Sequence, residues 1–353
     1  MNLLRQVVGI DVAKDELVCT YGVIKSDFIV EFKSSMVFKN SLTGFEKLSN
    51  WALKLSLESS ELYYVMEATG VYHQKFAYWL HGKSYKVVIV LPNKISNFAR
   101  TLEIKTVTDK TASEAITKFG LSRSLDSWQP PLELYRNIKQ LTRERDQIVA
   151  ERTVIKNQIH AENSEAYPNK RTLERLDARK KLLNVQEAQI KKEIEELIAS
   201  NQDVKESIEN MTSIPGVGRL TAAVVIAETN GFELIRNKKQ LSSYAGFDIK
   251  EKQSGTSVKG KPKISKKGNK YVRKAMHLPS LTAVRHCQIY KDIYARLVGR
   301  HGVKMKALVC IQRKLLELMF ILFKNQTTFN AEYEEMKKVL LHNATEPSNL
   351  ALS

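Results

Sequence analysis

The run Val7-Val8-Gly9-Ile10-Asp11-Val12-Ala13-Lys14 lies close to the start of the chain and decides how its first part folds. A short apolar run of this kind is typical of a buried strand, which places Asp11 near the exit of the apolar stretch. A buried carboxylate is costly unless something cationic pairs with it. For a lone acid, a structural aspartate held by backbone amides is the simpler interpretation.

Two further acids in similar settings change that interpretation. Glu67 ends a second apolar run, and Asp109 stands at the start of a predicted helix. Carboxylates brought together from separate elements repel each other unless a divalent cation lies between them. Mg²⁺ takes oxygen ligands of this kind, usually a few carboxylates together with substrate phosphates. Asp11, Glu67 and Asp109 are therefore the candidate ligands of a Mg²⁺ site.

Composition favours a polyanionic partner. The chain has 353 residues, enough for two domains, and 56 Lys and Arg against 38 Asp and Glu give a net charge of +18. A membrane surface is the other candidate, but no apolar run approaches the roughly 20 residues of a transmembrane helix. Three cysteines without a CxxC pair fit a reducing cytosol and argue against structural zinc. The first residues lead directly into a strand, so no signal peptide is expected.

Strands that alternate with helices predict an α/β domain at residues 1–130. The predicted strands are 7–12, 16–24, 27–33, 63–67 and 87–91, and the predicted helices begin near residues 42, 72, 93 and 109. Because Asp11 and Glu67 end strands and Asp109 begins a helix, the three acids are expected to meet at one edge of the sheet.

Residues 132–210 have apolar positions at helical spacing among dense charges, with a break at Pro168. This pattern predicts a long helical hairpin. One interpretation is a charged spacer or a dimerising coiled coil, and the other is a basic rod along nucleic acid. Dimerisation together with spacing is favoured.

The segment Gly216-Val217-Gly218-Arg219 is typical of a helix-hairpin-helix module. Two glycines allow a tight turn whose backbone amides begin a helix and can hold a phosphate. An ordinary turn between helices is the simpler interpretation. The net charge and the adjacent Arg219 favour contact of Gly216, Gly218 and Arg219 with the DNA backbone.

Residues 250–274 are rich in Ser, Gly and Lys and nearly free of apolar side chains. A flexible basic loop that coats phosphates is the simpler interpretation. Ser254, next to Gly255, is also a candidate nucleophile, since neighbouring cations would stabilise charge in phosphoryl transfer. Ser257 and Ser265 compete with it, although Ser265 is expected to be a helix N-cap. The predicted nucleic-acid contacts are Lys259, Lys261, Lys263, Lys266, Lys267, Lys270 and Arg273. The helices expected after this segment (268–284, 289–300 and 303–324) carry Met, Leu and Ile at helical spacing, and these residues are expected to form the core.

Taken together and in this order, several short motifs resemble one known family. They are Gly9-Ile10-Asp11-Val12-Ala13-Lys14, Met66-Glu67-Ala68-Thr69-Gly70, Thr108-Asp109-Lys110, Ile214-Pro215-Gly216-Val217-Gly218, Gln253-Ser254-Gly255 and Ile264-Ser265-Lys266-Lys267-Gly268-Asn269. The chain resembles the insertion-sequence transposases with an N-terminal RuvC-like domain and a C-terminal serine domain, also called bridge-RNA-guided recombinases. The pilin-inversion recombinases are relatives of that family.

The resemblance implies a RuvC/RNase H-like α/β domain, a helical coiled-coil linker and a mainly helical C-terminal domain with the catalytic serine. It implies that Ser254 attacks DNA and forms a covalent intermediate, assisted by an Asp-Glu-Asp-Asp metal site. Asp11, Glu67 and Asp109 match three of these acids, but Ala112 stands at the fourth position. Glu114 is expected to point to another helix face. The implied partners are donor and target DNA, a structured guide RNA and further copies of the chain in a dimer or tetramer.

The predicted division is a RuvC-like domain at 1–130, a coiled-coil linker at 131–210, a transposase domain at 211–330 and a tail at 331–353. A cytoplasmic, nucleoid-associated location is expected. Two alternatives stay open: a Mg²⁺-dependent RuvC-like nuclease in which Ser254 only contacts phosphate, and a nucleic-acid-binding protein whose cleavage is impaired by Ala112.

Overall fold

The computed structural model describes residues 3–57, 60–68, 70–102, 106, 108–233, 235–250, 253–254, 258–259 and 263–332, and of residues 253–254 and 258–259 only the backbone. The chain divides into two compact units, Met1–Pro130 and Pro131–Ser353. Within the described residues, no helix is long and apolar enough to cross a membrane. The finer division of the second unit stays a prediction, and the predicted tail lies outside the described residues from 333 onward.

The first unit contains a five-stranded mixed sheet in the order β3-β2-β1-β4-β5. β2 is antiparallel to β1 and β3, whereas β1, β4 and β5 are parallel. The strands are β1 Leu3–Val12, β2 Glu16–Lys25, β3 Val30–Lys39, β4 Leu62–Glu67 and β5 Lys86–Val90. The expected α/β architecture of this unit is confirmed.

Four helices cover the two faces of this sheet: α1 Leu42–Leu55, α2 Gln74–Gly82, α3 Pro92–Ala99 and α4 Asp109–Ser122. One apolar cluster joins the sheet to α1 and α2 through Phe45 and Phe76. A second cluster joins it to α3 and α4 through Ile95 and Ile116. Successive residues of a strand point to opposite faces, so each strand contributes to both clusters.

The third strand was predicted at residues 27–33, and this placement is wrong. β3 begins at Val30 and continues to Lys39, where Val37 and Phe38 pair with β2. Residues 25–28 form the preceding turn, closed by the Phe28 amide donating to the Lys25 carbonyl at 2.9 Å. Pairing with β2 decides the strand's extent, because Met36 and Val37 are exposed and only Phe38 is buried.

The second unit is mainly helical. Its helices are α5 Glu133–Asn163, α6 Lys170–Ala199, α7 Gln202–Thr212, α8 Arg219–Glu228, α9 Lys238–Ala245, α10 Lys270–Ala275, α11 His277–His286, α12 Gln288–His301 and α13 Lys304–Asn325. Four two-residue strands lie between α9 and α10: β6 Ile249–Lys250, β7 Gln253–Ser254, β8 Val258–Lys259 and β9 Lys263–Ile264. One apolar cluster runs from α5 to α13. The helix predicted over 268–284 is two helices, with a boundary at Met276.

The long helices α5 and α6 pack against each other through aliphatic side chains such as Ile155 and Leu183, both buried. Glu187 is buried between them and binds Arg145 at 2.7 Å, Lys191 at 3.0 Å and also Arg152. Burial opposes ionisation of Glu187, but hydrogen bonds from Lys191 and Arg152 and the charge of Arg145 outweigh it and lower the pKa to about 2. The coiled-coil assignment of this pair stays a prediction.

Candidate acidic centre and serine hairpin

Asp11 and Glu67 lie on the same face of the sheet at the ends of neighbouring parallel strands. Ile10 pairs with Met66, so the next residue of each strand is one of the two acids. Ile10 and Met66 both belong to the cluster under α1 and α2. Because strand residues alternate between faces, Asp11 and Glu67 are directed to the other face, the one covered by α3 and α4.

Helix α4 approaches this face of the sheet closely because Gly9 of β1, which has no side chain, lies beneath it. A Cβ on Gly9 would stand 2.3 Å from the amide nitrogen and the hydroxyl of Thr117. The Thr117 hydroxyl donates to the Thr20 carbonyl at 2.9 Å, and the hydroxyls of Ser113 and Thr20 are 2.7 Å apart. These contacts fix α4 against β1 and β2. They also determine where its first turn lies.

Asp109 is the first residue of α4. Thr108 caps the helix, with its side-chain oxygen accepting from the Thr111 amide at 3.2 Å, and the Thr111 hydroxyl accepts in return from the Thr108 amide at 2.8 Å. This reciprocal cap orders the turn that carries Asp109. Asp109 itself is exposed, as expected for a group that meets solvent or substrate.

The carboxylates of Asp11 and Asp109 are close enough to repel each other. Burial raises the pKa of the Asp11 carboxyl, the charge of Asp109 raises it further, and a hydrogen bond from the Val12 backbone opposes both. Burial also raises the pKa of the Cys19 thiol, and the charge of Asp11 adds to that effect. Within the described part of the chain, no basic side chain forms an ion pair with Asp11 or Asp109.

The donor chemistry of this centre fits Mg²⁺. Protein sites for Mg²⁺ use one or two carboxylates and leave other positions to water and substrate phosphates. Asp11 and Asp109 supply two such carboxylates, and Glu67 follows on the adjacent strand. As placed among the described residues, no three His, Cys, Asp or Glu side chains form a group that could hold a metal ion. The structure thus brings together a carboxylate pair with a third acid on the same face.

Ala112 lies one helical turn after Asp109 and is half-buried, with its amide donating to the Thr108 carbonyl at 2.8 Å. Its methyl group supplies no oxygen ligand. The neighbouring Ser113 does not replace the missing acid, because its hydroxyl is buried and bonded to the Lys110 carbonyl at 2.8 Å and to Thr20.

Ser254 lies between β6 and β9, and we call the described residues 249–250, 253–254, 258–259 and 263–264 the serine hairpin. β6 pairs with β9, and within this segment Gln253 pairs with Lys259 and Ser254 with Val258. The segment predicted as a flexible loop thus contains short paired strands. Ser257 and Lys261 lie outside the described residues, as does the side chain of Lys259.

Ser265 was expected to cap the next helix, and this is wrong. Asn269 is the N-cap of α10 and accepts from the Tyr271 and Val272 amides. The Ser265 hydroxyl donates instead to Asp248 Oδ1 at 2.5 Å, and the Ser265 amide to the Asp248 carbonyl at 2.8 Å. Ser265 therefore closes the base of the serine hairpin.

Most of the described basic residues beside this hairpin are exposed, namely Lys263, Lys266, Lys267 and Lys270. Arg273 is half-buried and donates to the Ala245 carbonyl at 2.8 Å.

At the predicted helix-hairpin-helix, Gly216 has φ +92° and packs against α11, where a Cβ would stand 2.7 Å from the Pro279 carbonyl oxygen. Gly218 precedes α8 as its N-cap residue. Arg219 binds Glu195 at 2.8 Å and approaches Glu209 at 3.9 Å. Two acids thus compete with any phosphate for Arg219, and the DNA contact of this turn stays a prediction.

Sequence reasoning missed the buried Glu228 and its partners in α5 and at the start of α10. Arg143 and Asn269 both bind its carboxylate, although they are 85 and 41 positions away in sequence. The one signal in the sequence is a single acid that directly follows the apolar run Ala222–Ala227.

Comparisons with known proteins find transposase domains in this chain. Residues 8–168 match the family model of the DEDD transposases of IS110 elements, and residues 208–295 match that of the IS116/IS110/IS902 transposase family. The pilin gene-inverting protein of Moraxella bovis is 25% identical over 94% of this chain and 99% of its own length. The transposase of insertion sequence IS1111A from Coxiella burnetii is 23% identical over 75% of this chain and 78% of its own.

Among solved structures, T. thermophilus RuvC in complex with a Holliday junction substrate matches with 12% identity and a TM-score of 0.26, over 35% of this chain and 99% of that one. The family matches are to transposases at both ends of the chain, so the protein is a DNA transposase or recombinase. Both matched regions are IS110-family transposase domains.

Proposed function

We propose that this transposase cuts and rejoins DNA strands through Ser254, assisted by Mg²⁺ at Asp11, Glu67 and Asp109. The observation that carries the proposal is the strand register, which ends neighbouring parallel strands in Asp11 and Glu67 on one face; the charge of Asp109 also raises the pKa of Asp11. Two carboxylates held together without a basic partner among the described residues favour a divalent cation between them. The strand order β3-β2-β1-β4-β5 with an antiparallel β2 supports a RuvC/RNase H-like fold for this unit.

In the proposed reaction, the Ser254 oxygen bonds to the phosphorus of a DNA phosphodiester. The bond between that phosphorus and one deoxyribose oxygen breaks, and the proton of the serine hydroxyl passes to the released oxygen. Attack by a deoxyribose hydroxyl on the phosphoserine reverses these changes and joins a new strand. Bound Mg²⁺ would neutralise charge on the phosphate oxygens. The carboxylates of Asp11, Glu67 and Asp109 would hold it.

The basic side chains at the base of the serine hairpin are the proposed contacts to DNA. Lys263, Lys266, Lys267 and Lys270 are exposed and follow one another closely along the chain. Such cations bind phosphates without regard to base sequence. A structured guide RNA would add the sequence information, and a dimer or tetramer would supply several active units. The net charge of +18 supports both polyanionic partners.

A second candidate function is nucleic-acid binding with impaired cleavage. Ala112 favours it, because a methyl group stands where a fourth carboxylate would complete the acidic centre. In that case DNA and RNA binding would persist without strand cutting. A Mg²⁺-dependent nuclease without a serine intermediate is the remaining alternative.

Strand cleavage of DNA carrying the element's own ends tests the proposal. With Mg²⁺ present, the protein should cut the DNA, and Asp11→Asn should reduce the cleavage rate at least a hundredfold. Glu46→Gln, which alters an exposed acid of α1, is the matched control and should cleave normally. Equal cleavage by Asp11→Asn and Glu46→Gln would refute the acidic centre. Cleavage that persists unchanged in Ser254→Ala would favour the simple nuclease.

A further inference from the structure

A fully buried carboxylate lies at the end of α8 in the second unit. The side chain of Glu228 has 0% exposure. Arg143 of α5 makes a bidentate contact with it: Nε donates to Oε1 at 2.7 Å and Nη2 donates to Oε2 at 3.0 Å. Asn269 donates to Oε2 at 2.7 Å, and Lys139 approaches the same oxygen at 3.7 Å. We call Glu228, Arg143, Lys139, Asn269 and Tyr244 the Glu228 network.

Asn269 joins this network to the start of α10. Its side-chain oxygen accepts from the Tyr271 amide at 2.9 Å and the Val272 amide at 3.1 Å, while its side-chain nitrogen donates to Glu228. Its backbone amide donates to the Tyr244 carbonyl at 2.7 Å, and the Tyr244 hydroxyl donates to the Glu228 carbonyl. Every polar group of the Asn269 side chain is thus engaged.

The same contacts lie at the base of the serine hairpin. The Lys266 amide donates to the Gly246 carbonyl at 3.1 Å, and Gly268 lies so close to α9 that a Cβ would stand 2.4 Å from the Tyr244 carbonyl oxygen. The strand β6 leaves α9 on one side, and β9 leads toward Asn269 on the other. Both ends of the serine hairpin are therefore attached to elements that contact Glu228.

The network extends to the exposed side of α10. The Arg143 guanidinium lies 4.5 Å from the centre of the Tyr271 ring, and Lys270 Nζ lies 5.0 Å from the same ring. Two cations, Arg143 and Lys139, face a single carboxylate, and burial lowers the pKa of Lys139 although the charge of Glu228 opposes this. Positive charge in excess of Glu228 is thus available next to the proposed DNA contacts.

Stability alone does not account for such a network. Apolar side chains of the same volume stabilise a core as well as a buried ion pair does, or better. The ion pair adds a defined geometry, because a bidentate contact fixes both the distance and the angle between the guanidinium and the carboxylate. Here it fixes the start of α10 relative to α5.

We propose that Glu228 is a positioning residue that holds the base of the serine hairpin in one orientation and so presents Ser254 to the phosphodiester. This inference rests on the proposed nucleophilic role of Ser254. Glu228 does not contact substrate. It acts through Asn269, while Arg143 anchors it to α5.

The full chain with Glu228→Gln tests the inference, with Glu193→Gln at an exposed site of α6 as the matched control. Three quantities are measured: DNA affinity, the rate of Ser254–DNA adduct formation, and hydrogen exchange of the amides at 249–250 and 263–271. For Glu228→Gln we expect an affinity within threefold of the parent protein, an adduct rate at least tenfold lower and faster exchange in those segments. Glu193→Gln should match the parent protein in all three.

A double variant separates positioning from stability and also serves if Glu228→Gln folds poorly. Glu228→Gln with Arg143→Met removes the bidentate ion pair and leaves only Lys139, whose side chain is 35% exposed, so thermal stability should recover. The adduct rate should not recover with it. Recovery of both together would overturn the positioning role.

Failure of the inference and failure of the proposed function give different results. If the parent protein forms the adduct and Glu228→Gln forms it at the same rate, the inference is wrong. If the parent protein forms no adduct, the proposed function is wrong. Hydrogen exchange then still decides whether Glu228 orders the hairpin base, since unchanged exchange in Glu228→Gln overturns that role.

Discussion

In the proposed metal site, Ala112 occupies the residue position at which a fourth carboxylate would complete the acidic centre. It follows Asp109 by three positions, so the two residues lie on the same side of α4. The centre therefore has the scaffold for a fourth oxygen ligand without the ligand itself. At this scale, single side chains decide the chemistry.

Ala112→Asp should increase Mg²⁺-dependent DNA cleavage at least tenfold. An added carboxylate beside Asp109 increases the attraction for a divalent cation, and a tenfold rate change corresponds to only about 1.4 kcal/mol. Ala112→Asn is the control, because it adds the same shape without the charge. Equal rates for the aspartate and asparagine variants would show that a fourth acid is not what this centre lacks.

Asp11→Asn should stabilise the metal-free protein at neutral pH. The pKa of Asp11 is raised above 3.8 by burial and by Asp109, so its charged form opposes folding at pH 7. The penalty arises as pH rises through the raised pKa and is absent below 3.8, where the carboxyl is protonated in both states. Solvent screening limits the gain to a few tenths of a kcal/mol.

Denaturant unfolding at pH 7 and pH 3.5, with chelator present, measures this difference. The variant should exceed the parent protein in stability at pH 7 and lose that advantage at pH 3.5. A variant that is less stable at pH 7 would show that Asp11 has a stabilising partner rather than a repulsive one.

At the scale of elements, the acidic centre depends on how closely α4 lies against the sheet. Gly9→Ala should destabilise the protein by about 2 kcal/mol, because the new methyl would stand 2.3 Å from Thr117 and α4 would have to shift. Gly82→Ala at the end of α2 is the matched control, since no atom lies within 4 Å of its Cβ position. Chemical denaturation of both variants measures the effect. A Gly9→Ala protein as stable as Gly82→Ala would contradict the close packing of α4.

The pair α5–α6 should depend on its buried ion cluster. Glu187→Ala should lower the free energy of unfolding by about 2 kcal/mol at pH 7, because Arg145 and Arg152 lose their shared partner. Glu193→Ala on the exposed side of α6 should have little effect. The difference should shrink as pH falls from 4.5 toward 2, since the pKa of Glu187 is about 2 in the folded protein. A difference that stays constant over that range would contradict the ionised cluster.

How far the sequence predicts these elements depends on the range of the interactions. The strand at Asp11 and the helix at Asp109 follow from local apolar patterns, and both are found. The end of β3 was missed because it depends on pairing with β2 rather than on its own composition. Ser265 was misplaced as a cap because its hydroxyl has a long-range partner, Asp248.

The candidate site follows the same rule. Strand alternation and register place Asp11 and Glu67 on one face, and a sequence reading can supply the alternation but not the register. The contact between Gly9 and Thr117 joins residues more than 100 positions apart, and the Glu228 network joins α5, α8, α9 and the start of α10. The spacing of apolar residues along the sequence does not predict contacts between residues so far apart.

At the scale of the whole molecule, the chain carries IS110-family transposase domains, and its two compact units each contain one part of the proposed reaction. The acids lie in the first unit and Ser254 lies in the second. The reaction therefore requires that an acidic centre and a serine hairpin act on the same phosphodiester, from one chain or from two.

Formation of a covalent protein–DNA adduct tests that requirement most directly. The full chain is incubated with Mg²⁺ and DNA carrying the element's ends, and the products are separated on a denaturing gel and digested for mass spectrometry. We expect an adduct that survives denaturation, with the phosphoester on the peptide containing Ser254, and that is lost in Ser254→Ala but retained in Ser257→Ala. An adduct on another residue, or cleaved DNA with no adduct at all, would contradict a serine nucleophile at position 254.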